Sequence, residues 1–97
     1  MSKGYWVVAY RSVSNESAVS SYASLAVPVI TSFGGHVLTT SAKRQKPYEA
    51  GLAQRTVVVE FDSYETAVAA RHSEAYTKAL RALGFGALRD FRIVEGA

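Results

Sequence analysis

The sequence contains no cysteine, and that absence excludes several ways of holding a small protein together. Disulfides and thiolate metal sites are impossible, and nothing indicates an oxidising compartment, so a cytoplasmic location is expected. A domain of 97 residues buries only about 60–65% of the surface that its unfolded chain exposes. Oligomerisation is the common stabilising device that remains available to such a small core.

Long apolar runs are also missing. No segment approaches the roughly 18 apolar residues that cross a bilayer. The start, MSKGYWVVAYRS, lacks the basic, apolar and small-residue regions of a signal peptide. We therefore expect no membrane partner. Apolar residues at 48% and charged residues at 20% are typical of a folded protein, so residues 1–97 are predicted to form one domain.

Positive charge is only slightly in excess, because eleven basic and eight acidic residues give a net charge of +3. The basic residues cluster only at Lys43, Arg44 and Lys46, and no aromatic residues alternate with them as in single-strand-binding grooves. A solvated loop explains this cluster. Nucleic-acid binding is therefore the least favoured function.

The sequence does contain two segments that are typical of buried strands. Residues 4–13, GYWVVAYRSV, and residues 55–61, RTVVVEF, are rich in aromatic and β-branched residues. Alternation in the first segment places apolar or aromatic side chains on both faces, so this strand must be covered on both sides. Residues 36–42 predict a weaker, more polar strand, and residues 88–96 predict a short strand.

A first helix is predicted between the first two strands. Ser14 or Asn15 can cap it, and its apolar residues recur every three or four positions. Pro28 lies inside this pattern and is expected to bend or split the helix. Gly34 and Gly35 supply the left-handed residue that ends it.

A second helix is predicted in two halves. Ser63 caps its start, and Gly84 closes its end. A break is expected near His72, because Ser73 followed by Glu74 can restart the helix.

The order of the elements, β-α-β-β-α-β, predicts an α+β fold of the ferredoxin-like class. Right-handed crossovers place both helices on one face of a four-stranded antiparallel sheet, with the first and third strands in the centre. The other face also carries apolar side chains, which a monomer would expose to water. Packing two copies sheet against sheet buries them, so a homodimer is predicted.

Several segments together resemble one bacterial protein family. KGYWVVAY, the GG before the second strand, VVVEFDSYETA, SEAY and the closing IVEG are similar to the family called domain of unknown function 1330, over residues 3–96. The resemblance implies the dimeric α/β-barrel superfamily and a pocket between the sheet and the helices of each protomer. The family's Ser-Pro-Glu-Tyr motif is Ser73-Glu74-Ala75-Tyr76 in this chain, without its proline.

The resemblance implies an architecture and leaves the activity open. Relatives in the superfamily include cofactor-free monooxygenases, polyketide cyclases, dehydratases, haem-degrading enzymes and proteins without known chemistry. By analogy, we expect a cofactor-independent enzyme that acts on a small molecule as a cyclase, isomerase, dehydratase or monooxygenase. The alternative is a non-catalytic homodimer that binds a small molecule or a partner protein. The sequence contains no P-loop, dinucleotide fingerprint or nucleophile elbow.

Four residues are the first candidates for chemistry in such a pocket. His36 could act as a general base, and His72 with Tyr76 could bind or protonate a carbonyl group. Arg55 could hold an anionic substrate with its fork of donors. Each also has a simple structural interpretation, such as an exposed histidine, a surface helix residue or a strand-end arginine that reaches solvent.

Tyr5, Tyr22 and Tyr48 are candidate substrate contacts, with positions in the core or at its rim as the alternative. The two histidines lack a nearby carboxylate cluster and do not make a metal centre, so no metal and no other cofactor is predicted.

Glu60 is a carboxylate embedded in an otherwise apolar strand. Alternation sets it on the face opposite Phe61, so it faces a partner sheet if Phe61 faces the helices. An unpaired carboxylate there would cost several kcal/mol. We therefore expect Glu60 to pair with Arg92 or Arg11 at an interface, or else to be an acid or base with a raised pKa.

Overall fold

The computed structural model describes residues 2–97 and shows four strands and three helices in that range. The elements are, in chain order, β1 (Gly4–Val13), α1 (Glu16–Ser32), β2 (His36–Thr39), β3 (Thr56–Phe61), α2 (Tyr64–His72), α3 (Glu74–Leu83) and β4 (Ala87–Glu95). No helix of this part of the chain combines the length and the apolar character that spanning a membrane requires.

The strands form one antiparallel sheet in the order β2-β3-β1-β4, with β1 and β3 in the centre as predicted. This order and the helices between the strands confirm the ferredoxin-like α+β fold. The register sets Trp6 of β1 opposite Val59 of β3 and Ile93 of β4. Residues opposite each other on paired strands point to the same face of the sheet. The alternation of side chains along β1 therefore also determines which side chains of β3 and β4 point to each face.

The helices cover one face of the sheet, and Trp6 lies at the centre of the core between them. Its side chain is fully buried, and its indole N–H donates to the carbonyl of Ala67 on α2 at 2.8 Å. The rings of Phe61, Tyr76 and Phe91 surround it, with centroids 5.0 to 5.2 Å from the indole centroid. The face of β1 that carries Trp6 is thus the core side.

The ends of α1 follow from local sequence. Asn15 is its N-cap and accepts from the backbone N–H of Ala18, and Gly34 follows its end with a φ of 73°. Glycine adopts this left-handed conformation without strain. Pro28 lies within the helix and does not split it, because α1 continues as one segment to Ser32.

The second helix is divided at Ser73, as expected. Ser73 has an extended backbone and closes α2, and its side chain accepts from the N–H of Tyr76 to cap α3. Its hydroxyl also donates to the carbonyl of Ala70 at 2.8 Å. One serine therefore serves both helix ends, and the break forms without the proline of the family motif. Gly84, with φ 52° and ψ −126°, ends α3.

The face of the sheet that the helices leave open carries Glu60. The Tyr5 hydroxyl donates to its carboxylate at 3.1 Å, and the Lys3 ammonium lies 3.8 Å away. The hydrogen bond to Glu60 raises the pKa of the Tyr5 hydroxyl above its usual value. The arginines predicted to pair with Glu60 contact Asp90 instead, at 3.0 Å for Arg92 and 4.0 Å for Arg11. Within the chain, that part of the prediction is wrong.

Candidate functional site

A cavity of about 90 Å³ lies between α1 and the core face of the sheet. Its walls are mostly apolar and come from both layers, including Trp6, Val8, Val57, Val59, Ala26 and Ile30. An apolar cavity with a few polar groups is the usual form of a small-molecule site, and this one is small enough to require a compact ligand.

A row of three side chains borders the cavity: Arg55 directly before β3, Tyr10 on β1 and Arg89 on β4. The guanidinium carbons of Arg55 and Arg89 both lie 5.6 Å from the centroid of the Tyr10 ring. Tyr10 is opposite Arg89 in the register, and its N–H donates to the carbonyl of Arg55 at 2.9 Å. The pleat therefore turns all three side chains toward the helices.

Neither cavity arginine forms a salt bridge with any carboxylate of residues 2–97. Arg89 instead lies against aromatic rings, with its guanidinium carbon 4.7 Å from the centroid of Tyr22 and 5.4 Å from that of Phe91. Stacking on ring faces favours the cation but does not neutralise it. One end of the cavity is therefore cationic.

Two tyrosine hydroxyls meet beside this cationic end. The Tyr22 and Tyr76 hydroxyl oxygens lie 2.5 Å apart, and Tyr22 borders the cavity while Tyr76 is fully buried behind it. Burial raises the pKa of Tyr76 well above its usual value, and Tyr22 adds to the rise while Arg89 opposes it. Tyr76 is therefore protonated at neutral pH.

The charge of Arg89 is also retained. Burial alone lowers the pKa of its guanidinium, but the neighbouring hydroxyls of Tyr22 and Tyr76 outweigh that effect and hold the pKa above its usual value. The guanidinium therefore supplies a permanent positive charge beside both hydroxyls.

The structure brings three of the seven predicted site residues to this region. Arg55 and Tyr22 border the cavity, and Tyr76 contacts it through the Tyr22 hydroxyl. Two further residues that border it, Tyr10 and Arg89, are missing from the sequence prediction. Alternation along β1 and β4 places both on the core side, and this signal could have identified them.

The other four predicted residues lie elsewhere. His36 is exposed at the start of β2, opposite Glu60, and His72 is exposed at the end of α2. Tyr5 lies on the open face of the sheet, and Tyr48 is 74% exposed in the loop between β2 and β3. Their proposed roles in catalysis or substrate binding remain predictions.

Potential metal ligands do not group in the described part of the chain, where no three histidine, cysteine, aspartate or glutamate side chains come together.

Comparison with known proteins gives the family. The pattern of the family described as domain of unknown function, DUF1330, matches residues 3–97. The chain belongs to the DUF1330 family. Among curated proteins, none matches the chain significantly.

Solved structures with the same fold resemble this DUF1330 protein at low sequence identity. The RPA0582 protein of unknown function from Rhodopseudomonas palustris is 16% identical, with a TM-score of 0.69 over 97% of this chain and 80% of that chain. A methylated form of RPA0582 gives a TM-score of 0.75 at 13% identity, over 99% of this chain and 82% of that one.

A further similar structure, from Nitrosomonas europaea, is provisionally assigned as an antibiotic biosynthesis monooxygenase. It is 13% identical, with a TM-score of 0.57 over 98% of this chain and 89% of that chain. At these identities the likeness shows the fold alone.

Proposed function

We propose that this DUF1330 protein acts on a small, partly apolar organic anion in the cavity between α1 and the sheet. The reaction would be cofactor-independent, as a cyclisation, isomerisation, dehydration or oxygenation. The observation that supports this best is the pair of guanidinium groups, Arg55 and Arg89, at one end of an apolar cavity without carboxylate partners in the described chain. Such groups bind a carboxylate or enolate strongly because arginine offers planar, permanently charged donors.

In this proposal, each wall of the cavity contacts a different part of the ligand. The anionic group would contact Arg55 and Arg89, and the apolar body would pack on the side chains of α1 and β3. Charge that develops on an oxygen during reaction would be stabilised by the same donors, since preorganised donors act most strongly where water is excluded.

Calorimetric titration with benzoate, phenylpropanoate and pentanoate, each beside its neutral amide, tests this proposal. We expect the carboxylates to bind more tightly than the amides, and Arg55→Gln to weaken carboxylate binding by about 10- to 100-fold, as loss of a charged hydrogen bond does. Arg81→Gln removes an exposed arginine of α3 and should leave binding unchanged. Equal affinity for acids and amides would refute the proposal.

A second candidate, non-catalytic binding in the same cavity, has its own support. Among residues 2–97, no histidine, aspartate, glutamate or lysine borders the cavity, so no ordinary general base is in place there. Mass spectrometry of a ligand incubated with the protein separates the two functions, because binding alone returns the ligand unchanged. If there is turnover, His36→Ala and His72→Ala test the predicted catalytic roles of those residues.

We also propose that the protein is a homodimer whose subunits pack through the open sheet face. Val7 and Val58 are half-buried there in the centre of the sheet, and Leu88 and Val94 on β4 are 62% and 40% exposed. These apolar side chains share the open face with charged groups such as Glu60 and Arg92, and a mixed sheet face of this kind can be buried against a second copy. We likewise propose the cytoplasmic location that the composition led us to expect.

A further inference from the structure

We infer that Tyr22 presents its hydroxyl hydrogen to the cavity, oriented by Tyr76, and that the ligand is a small oxo carboxylic acid whose carbonyl oxygen accepts it. This inference rests on the proposed function, because it concerns the same cavity and adds a second recognised group to the anion. It goes further in naming the class of ligand and the residue that selects it.

The direction of the hydrogen bond between the two tyrosines follows from burial. Their oxygens are 2.5 Å apart, so only one hydrogen lies between them. Tyr76 is fully buried, and the Tyr22 hydroxyl is the partner of its hydroxyl group. If Tyr22 were the donor, the hydrogen of Tyr76 would be buried without an acceptor, which is unfavourable.

Tyr76 is therefore the donor, and Tyr22 accepts. The hydrogen of Tyr22 is then free to point into the cavity, where water or a ligand can accept it. The Arg89 guanidinium reinforces this orientation, because a cation attracts the oxygen lone pairs and repels the hydroxyl hydrogen. Tyr22 becomes a donor with a preferred direction.

The two arginines and the Tyr22 hydroxyl therefore act as donors at this end of the cavity, while the Tyr10 hydroxyl can donate or accept. Arg55 and Arg89 have no acceptor atom in their side chains, and the Tyr22 oxygen accepts from Tyr76 and faces the Arg89 cation with its remaining lone pair. A ligand therefore needs acceptors at two points, a carboxylate for the arginines and a second oxygen for Tyr22. A carbonyl oxygen can be this second acceptor. A methylene group in its place would leave the Tyr22 donor unpaired. Donor sites reject such analogues because an unpaired buried donor is costly.

The experiment compares ligands that differ by this one oxygen. Phenylpyruvate and phenylpropanoate form one pair, and levulinate and pentanoate form another. We expect the protein to prefer the oxo acid of at least one pair by about tenfold. In Tyr22→Phe this preference should disappear, while the affinity for the deoxy acid stays as in the unmodified protein. A purely structural role of Tyr22 would instead lower both affinities together.

Two further variants keep the test decisive. Tyr22→Phe leaves the Tyr76 hydroxyl without its acceptor and can destabilise the fold, so the double variant Tyr22→Phe/Tyr76→Phe removes both hydroxyls at once. It should fold and should also lack the preference. Tyr64→Phe, a change at an exposed tyrosine on α2, should retain it.

The possible failures are distinguishable. Binding of carboxylates with no preference in either pair would overturn this inference and leave the proposed function standing. A preference that survives in Tyr22→Phe would also overturn it. Absence of carboxylate binding to the unmodified protein would overturn both.

Discussion

The Tyr5 hydroxyl donates to the Glu60 carboxylate at 3.1 Å, from a position directly opposite across the central strands β1 and β3. This contact explains how a carboxylate is accommodated in an otherwise apolar strand. Glu60 lies on the open face, where it has a hydroxyl donor and the Lys3 ammonium as partners. The charge is thus hydrogen-bonded whether or not a second copy covers that face.

The first prediction concerns that open face. Val58→Lys should raise the dissociation constant of the proposed dimer by about a hundredfold or more, because an unpaired ammonium buried in an interface costs several kcal/mol. Sedimentation velocity over a concentration series measures this change. Leu25→Lys, at a position on α1 that is 44% exposed, is the matched control and should leave association unchanged. Sedimentation of the unmodified protein as a single chain at micromolar concentrations would contradict the dimer.

The second prediction contrasts two phenylalanines. Phe61 is 1% exposed beside Trp6, and Phe85 is fully exposed in the turn before β4. Phe61→Ala should lower the free energy of unfolding by about 3–5 kcal/mol, since it leaves a cavity in the core. Phe85→Ala should change it by no more than about 0.5 kcal/mol. Urea denaturation measures both values, and similar losses in the two variants would contradict the placement of the core.

The third prediction concerns the helix break at Ser73. Glu74 is the first residue of α3, and Ser73 before it has φ −68° and ψ 152°, a conformation compatible with a following proline. Glu74→Pro should therefore change stability by less than about 1 kcal/mol, with stabilisation expected. Lys78→Pro, inside α3, should destabilise by about 3 kcal/mol or more. Thermal and urea denaturation of both variants provide the test, and equal losses would show that α3 does not begin at Glu74.

The fourth prediction concerns alkaline pH and the buried Tyr76. An unfolded tyrosine ionises near pH 10, at about its reference value. Because Tyr76 has a raised pKa in the folded protein, its contribution to stability is complete below that pH and is lost as the pH rises further. Between about pH 8 and about pH 11, the unmodified protein should lose more stability than Tyr76→Phe does.

Urea midpoints at both pH values test this difference, with Tyr64→Phe as the control that should behave like the unmodified protein. Equal losses in the unmodified protein and in Tyr76→Phe would show that the Tyr76 hydroxyl is not held neutral by its surroundings.

Strand alternation and helix capping could be predicted from the sequence, because each depends on only a few neighbouring residues. Alternation along β1 places Trp6, Val8 and Tyr10 on one face, and in the structure this face is the core. The division of the second helix at Ser73 was also expected from sequence, since a serine cap needs only the next few residues. The predicted split at Pro28 does not occur, because the helix continues through it. Packing of α1 on the sheet can offset the loss of one backbone bond.

The sequence by itself determined the order of strands and helices, the faces of the central strands and the helix ends, because periodicity and capping are short-range properties. Only the tertiary structure decided that Arg55, just before β3, and Arg89 on β4 flank one tyrosine. It alone also decided that Tyr22 on α1 meets Tyr76 on α3. Both contacts depend on how α1 and α3 pack on the sheet. Residues far apart in the chain are brought together by burial of the whole apolar core, and a short sequence pattern does not specify that packing.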